Sequence, residues 1–238
     1  MADFLLIHGS CHGAWCWRDT IREITALGHT ARAIDLPGRA DDARPVCDMT
    51  LALSAEAIVA ALGREPVHLV GHSAGGFPIS AAAELAPERI ARLYYLCAYA
   101  PRDGVSMIDM RREQASQPLL SAVRKSPDGL RYAADPAQSI PLFYHDVAPE
   151  TARWATDLLC AEPIKPQATP IALGPAYASV PRCYIQCTDD RTIPPEYQTR
   201  MAATFAPKDR YHMPTSHSPF LSDPRGLAAL LTQIAEAN

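Results

Sequence analysis

Short apolar runs alternate along this chain with stretches whose apolar residues recur at helical spacing, and this alternation restricts the fold more than any other feature. A chain with such a pattern forms βαβ units, in which parallel strands share one sheet covered by helices. The runs that predict strands are residues 4–8, 30–35, 67–71, 93–99, 182–188 and 209–213. We therefore expect an α/β protein with a six-stranded, mostly parallel sheet flanked by helices.

Length and composition predict one domain over residues 1–238. Of the 238 residues, 48% are hydrophobic and 20% are charged, with a formal net charge of −4. One sizeable core fits this length, and the lack of a basic excess argues against a nucleic-acid partner. The apolar start of the chain is too short for a signal peptide or a membrane span. Seven cysteines without a CxxC pair favour reduced thiols in the cytoplasm.

Residues 101–181 interrupt the alternation. Eleven of the chain's 22 prolines lie in this segment, and no run typical of a buried strand is visible. Helical patches within it carry large apolar side chains, among them Met107, Leu119 and Trp154. Apolar surface of this extent is expected to dock on the main domain. We interpret residues 104–178 as a small helical cap over a pocket, with a purely structural excursion as the alternative.

The most informative motif is the G-x-S-x-G pattern of residues 71–75, which follows a predicted strand and leads into an alanine-rich helix. Such a turn strains the serine backbone and leaves little room for side chains at the positions of Gly71 and Gly75. It also places the Ser73 hydroxyl at a helix N-terminus, whose partial positive charge favours an anion. Ser73 is therefore the predicted nucleophile; a serine that merely caps a helix is the alternative.

A nucleophilic serine needs a base, and in this architecture the order along the chain is serine, acid, histidine. One predicted strand ends in an acidic turn with Asp189 and Asp190 as adjacent candidates. We prefer Asp190 because it lies past the strand end; Asp189, and a solvated turn without a role, remain alternatives. His217 follows the last predicted strand and precedes the final helix, so it is the predicted general base.

An oxyanion hole is expected to need a second backbone N–H group from the loop after the first strand. We assign the hole to the amides of Ser10 and Ala74. Cys11, His12 and Cys16 lie close together in this loop region, but their spacing matches no usual zinc ligand set. We therefore predict no metal, and the expected chemistry requires no cofactor.

These motifs resemble one branch of the α/β-hydrolase superfamily: the plant methyl esterases, including the salicylate-binding esterases, together with hydroxynitrile lyases and similar bacterial esterases. The resemblance rests on HGSCHGAW at 8–15, GHSAGG at 71–76, CTDD at 187–190 with IPPEYQ at 193–198, and SHS at 216–218. It implies the α/β-hydrolase fold with a small cap. It also supports Asp190 over Asp189 as the acid of the triad.

Two chemistries occur in this branch. Its lyases carry a threonine after the histidine of the first strand and a lysine directly after the catalytic histidine, where this chain has Gly9 and Ser218. The resemblance therefore implies a serine hydrolase that cleaves carboxylic esters through an acyl-enzyme intermediate. A non-enzymatic ligand sensor on the same fold and a hydroxynitrile-lyase-like activity are the alternatives.

The substrate pocket is expected to include Gly9, Phe77, Trp154, Ser218 and Phe220. Because the cap segment is rich in apolar side chains, we expect a small, largely apolar ester to bind beneath it and charged esters to be poor substrates. The expected partner is this small-molecule ester, without nucleic acid or membrane. A homodimer is an open alternative.

Overall fold

Nine strands occur in the computed structural model, which describes residues 1–39 and 41–237. They are β1 (Asp3–Ile7), β2 (Thr30–Ile34), β3 (Val67–His72), β4 (Ile90–Leu96), β5 (Val123–Lys125), β6 (Arg131–Ala134), β7 (Glu162–Pro163), β8 (Arg182–Cys187) and β9 (Arg210–Met213). Six of them form a parallel sheet in the order β2-β1-β3-β4-β8-β9. The expected six-stranded parallel sheet is confirmed, although β4 begins three residues before the predicted run.

The strand order places two motif-bearing loops side by side. β2 lies on one side of β1 and β3 lies on the other, so the direction of winding reverses between β1 and β3. Open parallel sheets have a crevice at such a reversal, outside the carboxyl ends of the strands. Gly9 and Ser10 follow β1, and Ser73 follows β3. The topology therefore brings the predicted oxyanion loop next to the predicted nucleophile.

Helices cover the sheet and also make up most of the regular secondary structure between β4 and β8. They are α1 (Arg18–Ala26), α2 (Leu51–Ala61), α3 (Gly76–Leu85), α4 (Met107–Arg112), α5 (Pro118–Ser121), α6 (Pro136–Phe143), α7 (Pro149–Asp157), α8 (Lys165–Ala168), α9 (Pro175–Ser179), α10 (Pro195–Ala202), α11 (Pro219–Ser222) and α12 (Pro224–Glu236). Single turns of 3₁₀ helix occur at Ala14–Trp17, Val46–Asp48, Ser73–Gly75, Pro87–Arg89 and Pro207–Asp209. None of the helices in the described ranges has the length and apolarity needed to cross a membrane.

The side chains of β1 explain why both faces of the sheet are covered. Successive strand residues point to opposite faces. Leu5 and Ile7 belong to an apolar cluster with residues of α2, α3 and α10, whereas Phe4 and Leu6 belong to a second cluster with residues of α1 and α12. All four side chains are fully buried. A strand buried on both faces has a continuous apolar sequence, as this one does.

The cap, residues 104–178, makes up nearly all of the segment between β4 and β8. It contains short helices, as expected, and also a three-stranded antiparallel sheet in the order β5-β6-β7, which the sequence analysis did not predict. These strands are only two to four residues long, too short to show a recognisable alternation. A separate apolar cluster around Phe143, Tyr144 and Ala152 packs against Trp15 and Leu221, which lie outside the cap.

Candidate active site

Ser73 occupies a strained turn between β3 and α3. Its φ of +53° lies in the left-handed region that non-glycine residues rarely adopt. A Cβ added at Gly71 would lie 2.7 Å from the carbonyl oxygen of Gly75, and one added at Gly75 would lie 2.8 Å from the carbonyl oxygen of His8. Neither position has room for a larger residue. The turn therefore has the tight, strained geometry that the G-x-S-x-G pattern predicts.

The structure brings the side chains of Ser73, His217 and Asp190 together. Nε2 of His217 lies 3.0 Å from Oγ of Ser73, and its Nδ1 lies 2.7 Å from Oδ2 of Asp190. All three residues are buried. A carboxylate can only accept, so Nδ1 carries the proton in this pair and Nε2 is left to accept from the serine hydroxyl. A histidine in this state can act as a general base.

Four hydrogen-bond donors surround the carboxylate of Asp190. Besides the histidine on Oδ2, Nε2 of Gln198 donates to the same oxygen at 2.8 Å. The backbone N–H groups of Thr192 and Ile193 donate to Oδ1 at 2.6 and 3.0 Å. Donors of this kind stabilise the ionised form of a carboxyl group. The neighbouring Asp189, in contrast, is exposed to solvent.

Two further buried histidines hold the loops of the site. His72 donates from Nε2 to the carbonyl oxygen of His217 at 2.8 Å. His8 donates from Nδ1 to the carbonyl oxygen of Gly9 at 2.8 Å and accepts the N–H of Leu36 at 3.0 Å. Burial is the main reason why the pKa of each side chain lies well below its usual value. Both rings are therefore neutral at physiological pH.

Ser10 and Ala74, the predicted oxyanion-hole residues, line the same cavity as the triad serine and histidine. His12 fixes the backbone here, because its Nδ1 donates to the carbonyl oxygen of Ser10 at 2.8 Å and its Nε2 accepts the hydroxyl of Tyr144 at 2.8 Å. Burial lowers the pKa of His12 to about 4. The loop after β1 is thus connected to the cap through a neutral histidine.

An ion pair from the cap makes a second connection to this loop. Cys11 has a positive φ of 61°, and its backbone N–H donates to Oε2 of Glu162 at 2.9 Å. The same oxygen lies 2.8 Å from the guanidinium of Arg39. Burial by itself would lower the pKa of Arg39, but Glu162 raises it above its usual value. The pair is buried and charged, and it holds an unusual backbone conformation directly beside Ser10.

The cavity above Ser73 is small and has walls of mixed polarity. Its volume is about 20 Å³, room for about one water molecule. Its apolar lining consists of Met107, Leu119, Phe143 and Ile193, and its polar lining from the cap and adjoining loops consists of Tyr99, Arg111, Tyr132 and Thr192. Apolar side chains line the cavity as expected, but a charged guanidinium is also present, and this weakens the reason for expecting charged esters to be poor substrates. The composition of the cap did not show that Arg111 and Tyr132 line the cavity.

Two of the expected pocket residues, Gly9 and Phe77, line an adjacent cavity of about 40 Å³. This second cavity shares Ser10, Ala74 and Met107 with the first one. The two cavities therefore adjoin each other at the residues of the predicted oxyanion hole and at Met107 of the cap.

Trp154, Ser218 and Phe220 were also expected in the pocket, but they are not among the residues that line either cavity. Trp154 packs edge-on against Trp15, with ring centroids 5.3 Å apart, and lies beneath the guanidinium of Arg18. Ser218 and Phe220 are fully buried in the core. Aromatic character alone could not tell a pocket residue from one that docks the cap.

A group of three possible metal ligands overlaps the triad. The ligand atoms of His72, Cys97 and His217 all lie within 4.8 Å of one another. However, both ring nitrogens of His217 contact Ser73 and Asp190, and the Cys97 thiol and Nε2 of His72 donate to the carbonyl oxygen of His217. A metal ion would have to break these hydrogen bonds. The group does not fit a preformed metal centre, and the absence of a metal stays a prediction.

Several residues that shape the site have no motif that would identify their role from the sequence. Gln198 lies within the IPPEYQ motif but received no role, although it bonds to the carboxylate of Asp190. Glu162, Gln167 and Arg111 carry no local signal, because the groups that they contact lie many residues away in the sequence. Only the folded chain identifies them.

The fold and the serine turn define this protein as an α/β hydrolase. The chain belongs to the alpha/beta hydrolase family, whose model matches residues 4–230. It is 30% identical to Methylesterase 3 of Arabidopsis thaliana over 249 residues, covering 97% of this chain and 95% of the relative. It is 28% identical to Methylesterase 7 of the same plant over 256 residues, covering 98% and 96%.

A solved structure shares the same architecture. The pyrethroid hydrolase from Sphingobium faniae superposes with a TM-score of 0.87 at 24% identity, over 99% of this chain and 98% of that chain. At this identity the likeness concerns the fold. The resemblance to the α/β hydrolases and methyl esterases inferred from the motifs is confirmed by these relatives.

Proposed function

We propose that this protein hydrolyses carboxylic esters with Ser73 as nucleophile, His217 as general base and Asp190 as the acid that orients the histidine. The observation that carries the proposal is the hydrogen-bonded series from the serine hydroxyl through both ring nitrogens to a buried carboxylate. The names of the relatives, which are methylesterases, support the same reaction class.

The geometry supports acyl transfer in two half-reactions. Oγ of Ser73 attacks the ester carbonyl while its proton moves to Nε2 of His217, and Asp190 stabilises the imidazolium. The backbone N–H groups of Ser10 and Ala74 bind the oxyanion. The alcohol leaves with the proton from the histidine, and a water molecule then attacks the acyl-enzyme by the same path and releases the acid. No step needs a cofactor.

The cavity favours a small ester. Its volume of about 20 Å³ leaves little space before cap side chains move. Apolar side chains from both the cap and the main domain, Met107, Leu119, Phe143 and Ile193, would contact the hydrocarbon part of the substrate. We therefore keep a small substrate with a largely apolar body as part of the proposal.

A hydroxynitrile-lyase-like activity has less support. A Cβ at Gly9 would lie 2.8 Å from both Nδ1 of His72 and Cβ of Ser73, so the threonine of the lyases has no space in this backbone. Ser218 stands where those lyases have lysine. A ligand sensor would not need the hydrogen bonds from Ser73 through His217 to Asp190 for its function, so their presence favours the enzyme.

We also propose that the protein is located in the cytoplasm or in another reducing compartment. All seven cysteines are free thiols within the part of the chain that the structure describes. Several are deep in the core, and burial raises the pKa of Cys16 and Cys183. Thiols of this kind are typical of core residues.

Stopped-flow hydrolysis of a chromogenic acetate ester tests the proposal. The wild-type protein should release the chromophore in a burst, and mass spectrometry should find the acetyl group on the peptide that contains Ser73. Ser73→Ala should lower kcat by about 10⁴-fold or more. Ser179→Ala, at an exposed serine, is the matched control and should leave kcat unchanged. If Ser73→Ala kept more than about a tenth of the activity, the nucleophile assignment would be wrong.

A further inference from the structure

A buried arginine of the cap faces the cavity above Ser73 without an acidic partner. Arg111, on α4, is 8% exposed and lines this cavity. One Nη donates to Oε1 of Gln167 at 2.9 Å, and its buried Nε has no hydrogen-bond partner. Among the ion pairs within residues 1–39 and 41–237, none brings a carboxylate within 4.0 Å of Arg111.

The other buried arginine of this region is different. Arg39 is also 8% exposed, but it lies 2.8 Å from the carboxylate of Glu162. Its charge is therefore compensated within the protein. Within the part of the chain that the structure describes, the groups that contact the guanidinium of Arg111 are neutral: the amide of Gln167 and the hydroxyl groups of Tyr99 and Tyr132.

An arginine remains charged even when buried. Burial by itself would lower the pKa of Arg111, but the phenolic oxygens of Tyr132 and Tyr99 raise it. A buried cation without a counter-charge is strongly unfavourable, and an apolar residue of similar size would make the fold more stable at this position. The charge therefore indicates a ligand that supplies the missing anion.

We propose that Arg111 binds a free carboxylate of the substrate, so that the protein acts on half-esters of dicarboxylic acids or on other esters that carry a carboxylate. The inference rests on the proposed ester hydrolysis at Ser73. A planar guanidinium matches a carboxylate with two parallel hydrogen bonds. Arg111 and Ser73 line the same cavity, so one small molecule can contact both residues.

Neighbouring groups support this site. The hydroxyl of Tyr99 accepts a hydrogen bond from Nε2 of Gln114 at 2.8 Å, which leaves its own proton for a second acceptor. Gln167 connects Arg111 to the oxyanion loop, because its Nε2 donates to Oγ of Ser10 at 2.8 Å. The anion site and the reacting carbonyl are thus linked through one glutamine side chain.

The test compares kcat/KM for monomethyl half-esters of succinate, glutarate and adipate with kcat/KM for the corresponding neutral dimethyl esters. The three chain lengths sample the distance between the reacting ester and the carboxylate. We expect the wild-type protein to prefer the half-ester at one length at least, by about tenfold or more. Arg111→Gln should lower this preference by about 10- to 100-fold, and Arg111→Lys should lower it less.

The adjacent Arg112 provides a matched control. It lies on the same helix, its side chain is 71% exposed, and it pairs with Asp109. Arg112→Gln removes the same charge from the adjacent position of the helix, but from a side chain that does not line the cavity, so it should leave the preference for half-esters unchanged. Equal effects of both substitutions would mean that Arg111 acts only through the general field of the protein, and the inference would fail.

The outcomes separate this inference from the proposed function. If the wild-type protein hydrolyses the diesters but prefers no half-ester, or if Arg111→Gln leaves the preference intact, Arg111 is structural and the inference is wrong. If neither ester class is hydrolysed, the burst assay with the chromogenic acetate ester decides the proposed function, and calorimetric binding of glutarate to Ser73→Ala protein decides the anion site. Binding that is weakened by Arg111→Lys and lost with Arg111→Gln in that protein supports the site. Absence of binding, or binding that Arg111→Gln leaves unchanged, contradicts it.

Discussion

The carboxyl edge of the main sheet and the cap contribute to one cavity in different ways. At the sheet edge, Ser73, Asp190 and His217 each follow a strand, and the strand order alone brings the three loops together. In the cap, Arg111 lies on a helix of six residues and Tyr132 lies on a strand of four residues. These short elements follow no repeating pattern along the chain. The residues of the proposed triad are therefore positioned by the sheet, whereas the residues of the proposed substrate site depend on contacts between distant segments.

The largest effect that tests this comparison is expected at Asp190, the proposed acid of the triad. Asp190→Asn should lower kcat for a chromogenic acetate ester by about 10³- to 10⁴-fold, because an amide cannot hold the reactive tautomer or stabilise the imidazolium. Asp189→Asn, one residue earlier and exposed, is the matched control and should change kcat by less than about threefold. Comparable losses in the two variants would show that strand position does not determine the acid.

The sequence could predict the sheet edge because its signals are local. Gly71 and Gly75 are needed where backbone passes within 3 Å of a would-be Cβ, and this steric requirement is visible in five residues. Asp190 could be preferred over Asp189 simply because it lies past the strand end. The assignment of roles to these residues stays a prediction, although the hydrogen bonds favour it.

The cap could not be predicted in the same way. Arg111 and Arg112 are adjacent and identical in type, yet Arg111 is buried over the cavity and Arg112 is exposed. Helical spacing places Arg111 on the same face of α4 as Met107, but it does not show which part of the molecule that face covers, because the contact of Arg111 with Gln167 lies 56 positions later in the sequence. The role of Glu162 has no signal in the neighbouring sequence, because its partners lie on the loops after β1 and β2.

A medium effect is expected where the two regions meet, at Glu162. Removing its carboxylate with Glu162→Ala leaves the N–H of Cys11 without its acceptor and Arg39 without its counter-charge. Because Glu162 positions the loop that carries Ser10, we expect kcat per active site to fall by about 10- to 100-fold with a smaller change in KM. Burst titration should count the active sites, so that loss of folded protein is not mistaken for loss of rate.

Two further variants sharpen the interpretation of Glu162. Glu162→Gln keeps an oxygen that can accept the N–H of Cys11, so it should recover part of kcat even though the ion pair with Arg39 is lost. Glu150→Gln removes a charge from an exposed position of the cap and should leave kcat unchanged. If Glu162→Ala lowered stability but kept kcat, the cap would only cover the site and would not position the oxyanion loop.

The smallest effect on activity is expected at Trp154, where the sequence analysis placed a pocket residue. Its ring packs against Trp15 and Arg18, so it docks the cap on the main domain and does not line the cavity. Trp154→Ala should lower the free energy of unfolding by about 1–3 kcal/mol, from the loss of an edge-to-face pair and a cation–π contact. The order of preference among acetate, butyrate and hexanoate esters should remain the same, and Trp154→Phe, which keeps an aromatic ring, should lose less stability. Denaturant unfolding and kcat/KM measured on the same preparations test both statements. A shift in the preferred acyl chain length at unchanged stability would contradict the assignment, because it would make a residue that docks the cap part of the substrate pocket.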